Sequence, residues 1–464
     1  MSVSPEKRAF PEHRTAKRPR PHTPQPVDNV LRRDPTGLTA KPNPTPVPAD
    51  VKPISREEFM SLLRPPNSSD KKPKQEPEKY PPLTLATPEL VAKHTPCTLH
   101  LSILPPELAS RLFWTMLDLS HDWQRNRWYL FDRLVESPHK TSFFIREQST
   151  AQTDEMREAA KFWYNGRMIG ESPSFPPEME EACKYIERVV NAEMHKRQRY
   201  PLEWGGELPQ TPSDEDISAD NEKIVWRANV AASNCYEGAQ ESVGFHTDAL
   251  TYLGPYPTIA SLSLGTTRTF RLREVIPSDE KDTRSARTFN IPLSHNSLTI
   301  MHASCQETFK HSVPPQRTID LFHAPFRPPP SLKNVRTSAG GSNVSEDLTQ
   351  SHHSNTSSTQ PGSNARINIT FRFFRPDYRP SMTPKCKCGV PCILRPDMKS
   401  RYSGPTPGPS TTDKGPAASG PRDTVAKYWW TCHAGAQNEG KGCGLWKVMD
   451  AKAEGRGPFA GHVS

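Results

Sequence analysis

The chain has 464 residues, of which 51 are proline and only 33% are hydrophobic. This composition excludes a protein that is folded along its whole length, because such a chain cannot bury a core throughout. The formal net charge of +9 and the isoelectric point near 9.0 favour an acidic partner, and we expect nucleic acid. The sequence contains no apolar run of spanning length, so we expect no membrane partner.

The cysteines and the N-terminus indicate the compartment. Five of the nine cysteines lie between residues 386 and 443, and the other four are scattered without disulfide-like spacing. This distribution predicts a reducing compartment and one metal site.

The N-terminus has no apolar segment typical of secretion. Basic clusters at 17–20 and 71–74 indicate nuclear-import signals, phosphate contacts or simply solvated charge. We therefore expect a nuclear protein, with the cytoplasm as a second location.

The N-terminal part is predicted to be a disordered, basic, proline-rich tail over residues 1–95, because it has too little apolar surface to offset the entropy of ordering. Within it, Ser55-Arg-Glu-Glu58 has the pattern of a capping box. That pattern predicts either a short amphipathic helix that docks on a partner or only a nascent turn.

Helical and strand-like patterns follow the tail. Apolar residues at helical spacing after a Pro-Pro pair predict a helix over 106–119, and similar spacing predicts helices over 154–164 and 177–199. Aromatic and basic residues interleave over 123–129 and 141–145. These two stretches predict half-buried strands or, alternatively, a surface that grips nucleotides.

The later part of the chain is β-like. Predicted strands cover 224–230, 259–264, 268–273, 287–293, 297–301 and 367–374. Many short strands at close spacing predict a mainly β fold with flanking helices, in the form of a sandwich or jelly roll. Asn296 occupies a turn position that suits the left-handed conformation. Residues 209–222 are a predicted loop, and the Ser-, Gly- and Asn-rich stretch 328–365 is a predicted disordered insertion.

Three motifs carry the candidate chemistry. His246 and Asp248 lie two residues apart at a strand end, so their side chains point to the same face and can share a metal with His311 from a neighbouring strand. Two imidazoles and one carboxylate suit ferrous iron and leave coordination positions open for dioxygen chemistry. Arg366 is the candidate anchor of a dicarboxylate co-substrate, because a guanidinium pairs bidentately with a carboxylate.

Strand alternation arranges the residues around that anchor. Arg366, Asn368, Thr370 and Arg372 are expected on one face of the last predicted strand. The apolar residues between them, Ile367, Ile369 and Phe371, are expected on the other face.

These motifs, together with the run Leu253–Arg273 between them, resemble the AlkB-type iron and 2-oxoglutarate dioxygenases that dealkylate nucleic acids. The resemblance covers about residues 225–375, and it continues more weakly upstream to residue 99. It implies a double-stranded β-helix, or jelly-roll, core. It implies that Fe(II) is bound by the catalytic residues His246, Asp248 and His311, and that 2-oxoglutarate is held by Arg366.

The resemblance also assigns the rest of the co-substrate shell. Arg372 and Asn234 are expected near the metal-bound end of 2-oxoglutarate, and Tyr236 and Asn368 complete the shell.

The resemblance further implies oxidative demethylation of alkylated bases in DNA or RNA, with 2-oxoglutarate converted to succinate and the methyl group released as formaldehyde. The target base would be single-stranded or flipped out of a duplex. One position departs from the pattern: Leu250 stands where repair members carry an acidic residue that helps to read the base. Tyr252 or an upstream aromatic residue is expected to read the base by stacking instead.

The C-terminal cysteines resemble a second module, the GRF-type zinc finger found on DNA-processing enzymes. The resemblance implies structural Zn(II) bound by Cys386, Cys388, Cys432 and Cys443. Cys392 is a fifth thiol that could substitute for one of them, although the resemblance places it outside the ligand set. Aromatic residues near two lysines fit a platform on which single strands stack. Zinc binding without a nucleic-acid role is the alternative.

The sequence therefore predicts four segments. They are a tail at 1–95, a dioxygenase domain at 96–380, a zinc finger at 381–450 and a tail at 451–464. Two alternatives to a nucleic-acid demethylase stay open. One is an oxygenase that acts on methylated protein side chains, and the other is a non-catalytic adaptor that binds nucleic acid.

Overall fold

The structure is a computed structural model in which the described residues are 77–147, 154, 157–160, 171–208, 223–332, 362–400 and 426–461. The chain divides into two units, Met1–Lys74 and Gln75–Ser464, and every described residue belongs to the second. Both basic clusters, the capping-box pattern and the loop 209–222 lie outside the described residues. Within the described part, no helix has both the length and the apolar character needed to cross a membrane.

Strands dominate the described residues. In chain order they are β1 (Leu83–Thr84), β2 (Cys97–Leu101), β3 (Gln124–Leu130), β4 (Arg133–Ile145), β5 (Val230–Glu237), β6 (Val243–His246), β7 (Ile259–Gly265), β8 (Arg268–Glu274), β9 (Thr288–Leu293), β10 (Ser297–Met301), β11 (Phe309–Val313), β12 (Ala365–Arg372), β13 (Ile393–Pro396), β14 (Tyr428–Thr431) and β15 (Trp446–Val448). The α-helices are α1 (Pro88–His94), α2 (Pro106–Leu119), α3 (Pro177–His195) and α4 (Cys305–Thr308). Single 3₁₀ turns cover Ser120–Asp122, Pro376–Tyr378, Pro380–Met382 and Ala434–Gln437.

Two sheets form the body of this unit. The larger has the strand order β2-β10-β7-β12-β5-β4-β3, and the smaller has the order β1-β9-β8-β11-β6. Neighbouring strands are antiparallel except β1 and β9, which are parallel. This arrangement agrees with the predicted mainly β fold with flanking helices.

The alternation of β12 separates the two faces of the larger sheet. Ile367, Ile369 and Phe371 are fully buried in one apolar cluster with the inner faces of α2 and α3. Burial of each such side chain stabilises the fold by roughly 1.5–3 kcal/mol. The polar residues between them share the opposite face, as predicted. That face is turned toward the smaller sheet, where Arg372 bonds to Asp248. The larger sheet is thus covered by helices on one side and by the candidate site on the other.

Most predicted elements are found with small changes of boundary. The helix over 106–119 is confirmed, and Pro106 at its first turn fits the preference of proline for helix starts. The helix over 177–199 ends at His195, and the last strand ends at Arg372. Asn296 has the expected left-handed φ of 60°. Residues 154 and 157–160 are helical, and the rest of the predicted helix over 154–164 lies outside the described residues.

The predicted strand over 224–230 is wrong for residues 224–229, because side chains of α3 bind backbone N–H groups between residues 225 and 228. Only at its end does the backbone reach a neighbouring strand, where the N–H of Asn229 donates to the Arg372 carbonyl at 3.0 Å. Asn191 Oδ1 accepts the N–H groups of Val225 and Trp226, each at 2.8 Å. Glu187 Oε1 accepts the N–H of Ala228 at 2.9 Å. The strand at this point is β5, which starts at Val230. Its alanine, serine and asparagine residues have weak β propensity, so the sequence pattern missed it.

The N-terminal tail predicted to extend to residue 95 ends earlier. Strand β1 pairs with β9, and α1 begins at Pro88. Thr87 caps this helix, since its Oγ1 accepts the N–H of Leu90 at 3.4 Å. Leu85 and Val91 are fully buried. These few apolar residues are enough to attach a short segment to the edge of the smaller sheet at β9, which is formed by later parts of the chain.

The predicted insertion at 328–365 falls mostly outside the described residues, but its C-terminal end does not. Phe322 and Ser363 exchange two backbone hydrogen bonds of 2.8 Å, and β12 begins at Ala365. Backbone pairing at Ser363 and strand β12 therefore lie inside the C-terminal boundary predicted for the insertion, and residues 328–332 at its N-terminal end are also described.

The C-terminal strands β13, β14 and β15 form a small third sheet in the order β13-β14-β15. Leu394, Tyr428 and Trp430 share one apolar cluster with residues of the two large sheets. The tail predicted at 451–464 is wrong for residues 451–461, since Phe459 bridges to Trp204. We refer to residues 386–461 as the C-terminal module.

A buried carboxyl group lies where this module meets the sheets. Glu307 is 2% exposed, and its Oε1 accepts the N–H of Tyr256 and the hydroxyl of Tyr428, each at 3.0 Å. Burial raises the pKa of Glu307 to about 7, against the opposing effect of these two hydrogen bonds. The folded protein therefore holds the Glu307 proton to a higher pH than the unfolded chain does.

This shift predicts a loss of stability with rising pH. The unfolded chain releases the proton near pH 4.5, the ordinary pKa of a glutamate, so between about pH 4.5 and 7 the folded state binds more protons and the free energy of unfolding falls. The loss is about 3 kcal/mol across that window. Glu307→Gln should remove it, because an amide does not titrate. Chemical denaturation of both proteins at pH 5 and pH 7.5 measures the difference, and equal pH slopes would contradict the expectation.

Candidate metal centre

The metal-binding motifs meet on the smaller sheet. Strands β6 and β11 are neighbours, and their register sets His311 directly opposite His246. Asp248 follows two residues after His246, just beyond the end of β6. The ligand atoms of His246, Asp248 and His311 all lie within 4.8 Å of one another. Asp248 Oδ1 is 4.0 Å from His246 Nε2 and 3.6 Å from His311 Nε2. The structure therefore brings the predicted triad together.

The two histidines each present a ring nitrogen to this point. His246 Nδ1 is 2.8 Å from the carbonyl of Gly244, and since a carbonyl only accepts, this contact selects the tautomer of the metal-binding imidazole that carries its proton on Nδ1 and its lone pair on Nε2. Burial and the neighbouring His246 lower the pKa of His311 to about 3, despite the opposing charge of Asp248. A neutral imidazole is the form that binds metal, so this donor set fits ferrous iron.

Two hydrogen bonds hold Asp248 in place. Its Oδ2 accepts a 2.8 Å hydrogen bond from Arg372 Nη2, and its backbone N–H donates to Gln306 Oε1 at 2.9 Å. Burial opposes ionisation, but Arg372, His311 and His246 hold the pKa of Asp248 well below its usual range. The carboxylate is therefore charged, and its Oδ1 is directed toward the two imidazoles.

Arg366 lies on the same face of β12 as Arg372 and is only 1% exposed. Its Nη2 donates to Ser263 Oγ at 2.9 Å, while Nε and Nη1 are buried without a hydrogen-bond partner among the described residues. Burial lowers the pKa of Arg366 to about 10, with Tyr236 opposing and Arg268 adding to the shift. A buried guanidinium with two unpaired donors is arranged to receive a carboxylate.

The other predicted shell residues lie on adjacent strands. The register of β12 and β5 pairs Arg366 with Tyr236 and Asn368 with Asn234. The Arg366 guanidinium is 5.5 Å from the centroid of the Tyr236 ring. Asn368 Nδ2 donates to Ser261 Oγ at 2.7 Å. All of these residues therefore lie along one pocket wall.

Several residues of this pocket escaped the sequence analysis. The imidazole of His139 stacks on Tyr236 with ring centroids 4.8 Å apart, and burial lowers its pKa to about 4. Gln306 holds the Asp248 backbone. No spacing signal marks either residue. Ser261 and Ser263, however, alternate with apolar residues in the fully buried β7, and that alternation was a readable sign of a polar inner face.

The positions after the triad do not face the pocket as expected. Leu250 is fully buried, and its N–H donates to the carbonyl of Leu394 in the C-terminal module at 3.2 Å. Tyr252 is only 2% exposed and packs on Phe374 with ring centroids 5.4 Å apart. The expectation that Tyr252 stacks on a base is therefore wrong, because its ring is committed to the core.

The four C-terminal cysteines also come together. The Sγ atoms of Cys386, Cys388, Cys432 and Cys443 all lie within 4.8 Å of one another, and Cys388 and Cys432 are separated by 4.0 Å. Tetrahedral zinc with bonds near 2.3 Å needs sulfurs about 3.8 Å apart, so the set fits such an ion. The N–H of Leu445 is the largest influence that lowers the pKa of the Cys443 thiol to about 6. Zinc ligation itself stays a prediction.

Comparison with known proteins identifies the family of this fold. A family model described as the 2OG-Fe(II) oxygenase superfamily matches residues 102–372, which is more than half of the chain and includes the triad and Arg366. The chain belongs to the 2OG-Fe(II) oxygenase superfamily. Membership confirms the predicted jelly-roll class and enzyme class, and it implies Fe(II) and 2-oxoglutarate as metal and co-substrate.

Individual relatives of this oxygenase match over shorter stretches. Alpha-ketoglutarate-dependent dioxygenase alkB homolog 3 from Mus musculus is 31% identical over 29% of this chain and 54% of its own length. The Homo sapiens protein of the same name is 34% identical over 24% of this chain and 44% of its own. DNA oxidative demethylase ALKBH2 from Arabidopsis thaliana is 33% identical over 19% of this chain and 33% of its own. The oxygenase thus spans about half the length, or less, of these relatives.

Solved structures also align with this oxygenase. The structure of OsALKBH1 aligns with 60% of this chain and 99% of that chain, at 15% sequence identity and a TM-score of 0.32.

The geometry of Arg366 predicts how the oxygenase holds its co-substrate. Arg366→Lys keeps the positive charge but loses the planar pair of donors, so the dissociation constant for 2-oxoglutarate should rise about tenfold to a hundredfold. Calorimetric titration of 2-oxoglutarate into Mn(II)-loaded protein measures it. Arg287→Lys is the matched control, because that guanidinium lies over the Tyr80 ring instead. Equal weakening in both variants would contradict the assignment.

Proposed function

We propose that this oxygenase demethylates alkylated bases in DNA or RNA, using Fe(II) and 2-oxoglutarate. The observation that carries the proposal is the convergence of His246, Asp248 and His311 beside the buried, partly unpaired guanidinium of Arg366. A two-histidine, one-carboxylate face leaves coordination positions for a bidentate co-substrate and dioxygen. The similarity to proteins named dioxygenases of the alkB type and DNA oxidative demethylase supports a nucleic-acid substrate.

In this proposal each residue of the pocket has one task. His246, Asp248 and His311 hold Fe(II), and Arg372 keeps Asp248 charged and oriented. Arg366 binds the distal carboxylate of 2-oxoglutarate through its two unpaired donors. When bound, Fe(II) would activate dioxygen for oxidation of the methyl group. Asn234, Tyr236 and Asn368 line the wall along which the co-substrate lies, with Arg372 and Asn234 toward its metal-bound end.

The proposed reaction balances without any further oxidant. Dioxygen and 2-oxoglutarate are consumed, and the co-substrate loses carbon dioxide to become succinate as it takes one oxygen atom. The other oxygen atom is inserted into a C–H bond of the N-linked methyl group. The hydroxymethyl product then loses formaldehyde as its C–N bond breaks, and the base nitrogen regains a proton. The residues of the pocket orient the reactants and exclude competing reactions.

The base must leave its stack to reach this site, so we propose a single strand or a flipped nucleotide as the substrate. Leu250 supplies no carboxylate to read an exocyclic amine, and its side chain is buried. We assign base contacts to aromatic and apolar groups upstream. The turn between β3 and β4 exposes Leu130, Phe131 and Leu134, and Arg127 lies beside it.

We propose that the C-terminal module is a GRF-type zinc finger that helps to hold the strand. Trp429 stacks on Trp446 with ring centroids 3.9 Å apart, and Trp446 is 58% exposed. Two lysines of the same small module are also exposed: Lys427 directly precedes β14, and Lys447 lies in β15. Exposed aromatic rings beside lysines suit base stacking along a backbone of phosphates. The net positive charge and the two basic clusters near the N-terminus support a nuclear location.

The substrate proposal predicts succinate and formaldehyde in equal amounts. The protein is incubated with Fe(II), 2-oxoglutarate and oligonucleotides that each carry one methylated base, in single and double strands. His246→Ala should abolish both products, while His121→Ala, at an exposed position, should not. No turnover on any methylated nucleic acid with iron bound would overturn the proposal. Turnover of a methylated peptide that single-stranded DNA does not inhibit would favour the protein-directed alternative.

The zinc proposal predicts one zinc ion per chain, bound by four thiolates. Cys432→Ser should lose the ion and lower the thermal midpoint, because structural zinc contributes directly to the folding of such small modules. Cys392→Ser is the control, since Cys392 is buried outside the group of four. Elemental analysis of both purified variants measures zinc content. Retention of zinc by Cys432→Ser, or its loss from Cys392→Ser, would contradict the ligand set.

A further inference from the structure

The short helix α4 lies between the metal centre and the C-terminal module. Its two central side chains, Gln306 and Glu307, are polar but almost fully buried. Gln306 Oε1 accepts the backbone N–H of Asp248 at 2.9 Å. Glu307 Oε1 accepts the N–H of Tyr256 and the hydroxyl of Tyr428, each at 3.0 Å. One turn of helix thus contacts a metal-ligand residue on one side and the C-terminal module on the other.

A second set of contacts joins the module to the loop that follows Asp248. The carbonyl of Leu394 accepts the N–H of Leu250 at 3.2 Å. The N–H of Leu394 donates to Thr251 Oγ1 at 3.3 Å, and the N–H of Ala426 donates to the Tyr256 hydroxyl at 2.8 Å. The loop over residues 248–256 is therefore bonded to the module at three points.

Contacts from outside the loop add to its own turn hydrogen bonds, in which the Leu250 carbonyl accepts the N–H groups of Leu253 and Gly254 at 3.1 and 2.8 Å. The loop lies between β6 and β7 and pairs with neither large sheet over residues 249–256. Tyr256 has a left-handed φ of 51°, a strained backbone conformation that bulky residues rarely adopt. Its N–H and its hydroxyl are both bonded, to Glu307 and Ala426 respectively. The strained residue is thus held by the helix and the module together.

We infer that the C-terminal module positions the metal-binding loop, and that Gln306, Glu307 and Tyr428 are positioning residues of the metal centre. The inference rests on the proposed iron site. It also gives Leu250 a role. Its backbone N–H bonds to the Leu394 carbonyl, and its buried side chain lies in the same apolar cluster as Leu394 of the module. The position that would read a base in other enzymes anchors the loop here.

Metal affinity measures this positioning. Groups that orient a ligand without touching the metal commonly change metal affinity by 10-fold to 100-fold when removed. Mn(II) is the probe, because it prefers carboxylate and water ligands over the four thiolates of the module. The full chain, loaded with zinc and free of iron, is titrated with Mn(II), and free Mn(II) is followed by electron paramagnetic resonance.

The expected results differ between variants at the same interface. Gln306→Leu should weaken Mn(II) binding by about tenfold or more. Tyr428→Phe loses a single hydroxyl and should weaken it by roughly threefold to tenfold. Glu307→Gln keeps an oxygen that accepts both bonds and should retain wild-type affinity. Tyr378→Phe is the matched control, since its hydroxyl contacts Met449 Sδ at 3.1 Å within the same junction but makes no bond to the loop or to α4.

Two outcomes would overturn the inference. One is wild-type Mn(II) affinity in both Gln306→Leu and Tyr428→Phe. The other is equal weakening in Tyr428→Phe and Tyr378→Phe, which would indicate general loosening of the junction. Thr251→Val, which removes only the acceptor of the Leu394 N–H, repeats the test if Tyr428→Phe folds poorly. Because the measurement uses no methylated substrate, failure of the demethylase proposal would leave this result unaffected.

Discussion

The whole site depends on keeping the carboxylate of Asp248 charged in a buried position. Burial alone would favour its neutral form, and three cationic or polar neighbours reverse that preference. Each neighbour comes from a different strand or strand end: His246 from β6, His311 from β11 and Arg372 from β12. The two sheets must therefore face each other at a fixed separation, and the apolar layer on the far side of β12 fixes the larger sheet in that position.

This arrangement of residues is predictable from the sequence because its signals are local. The His-x-Asp spacing sets both side chains on one face, and the alternation from Arg366 to Arg372 separates polar from apolar residues without any knowledge of the partner strands. The helix at Pro106–Leu119 was predictable for the same reason, since its apolar spacing and proline start lie within 14 residues.

The errors came from contacts between distant parts of the chain. The stretch 225–228 looks like a strand, but Asn191 and Glu187 of α3 bind its backbone. The tails were predicted from composition, which cannot reveal that Leu85 or Phe459 has a surface to pack against. The position of Tyr252 in a motif makes it one of two candidates for stacking on the base, whereas its ring packs on Phe374, more than a hundred residues later. Likewise, nothing in the sequence links Gln306 to Asp248.

The unpaired donors of Arg366 have a consequence for the choice among small metabolites. Burying a guanidinium whose donors lack partners costs free energy. A ligand that leaves those donors unpaired does not offset this cost, so it binds more weakly than one that pairs with them. A monocarboxylic oxo acid such as pyruvate has no second carboxylate to pair with this group. Sites that hydrogen-bond a ligand group in this way reject analogues without it far more strongly than apolar pockets reject a change of size. On the proposed role of Arg366, we therefore expect the site to select oxo acids that carry a second carboxylate.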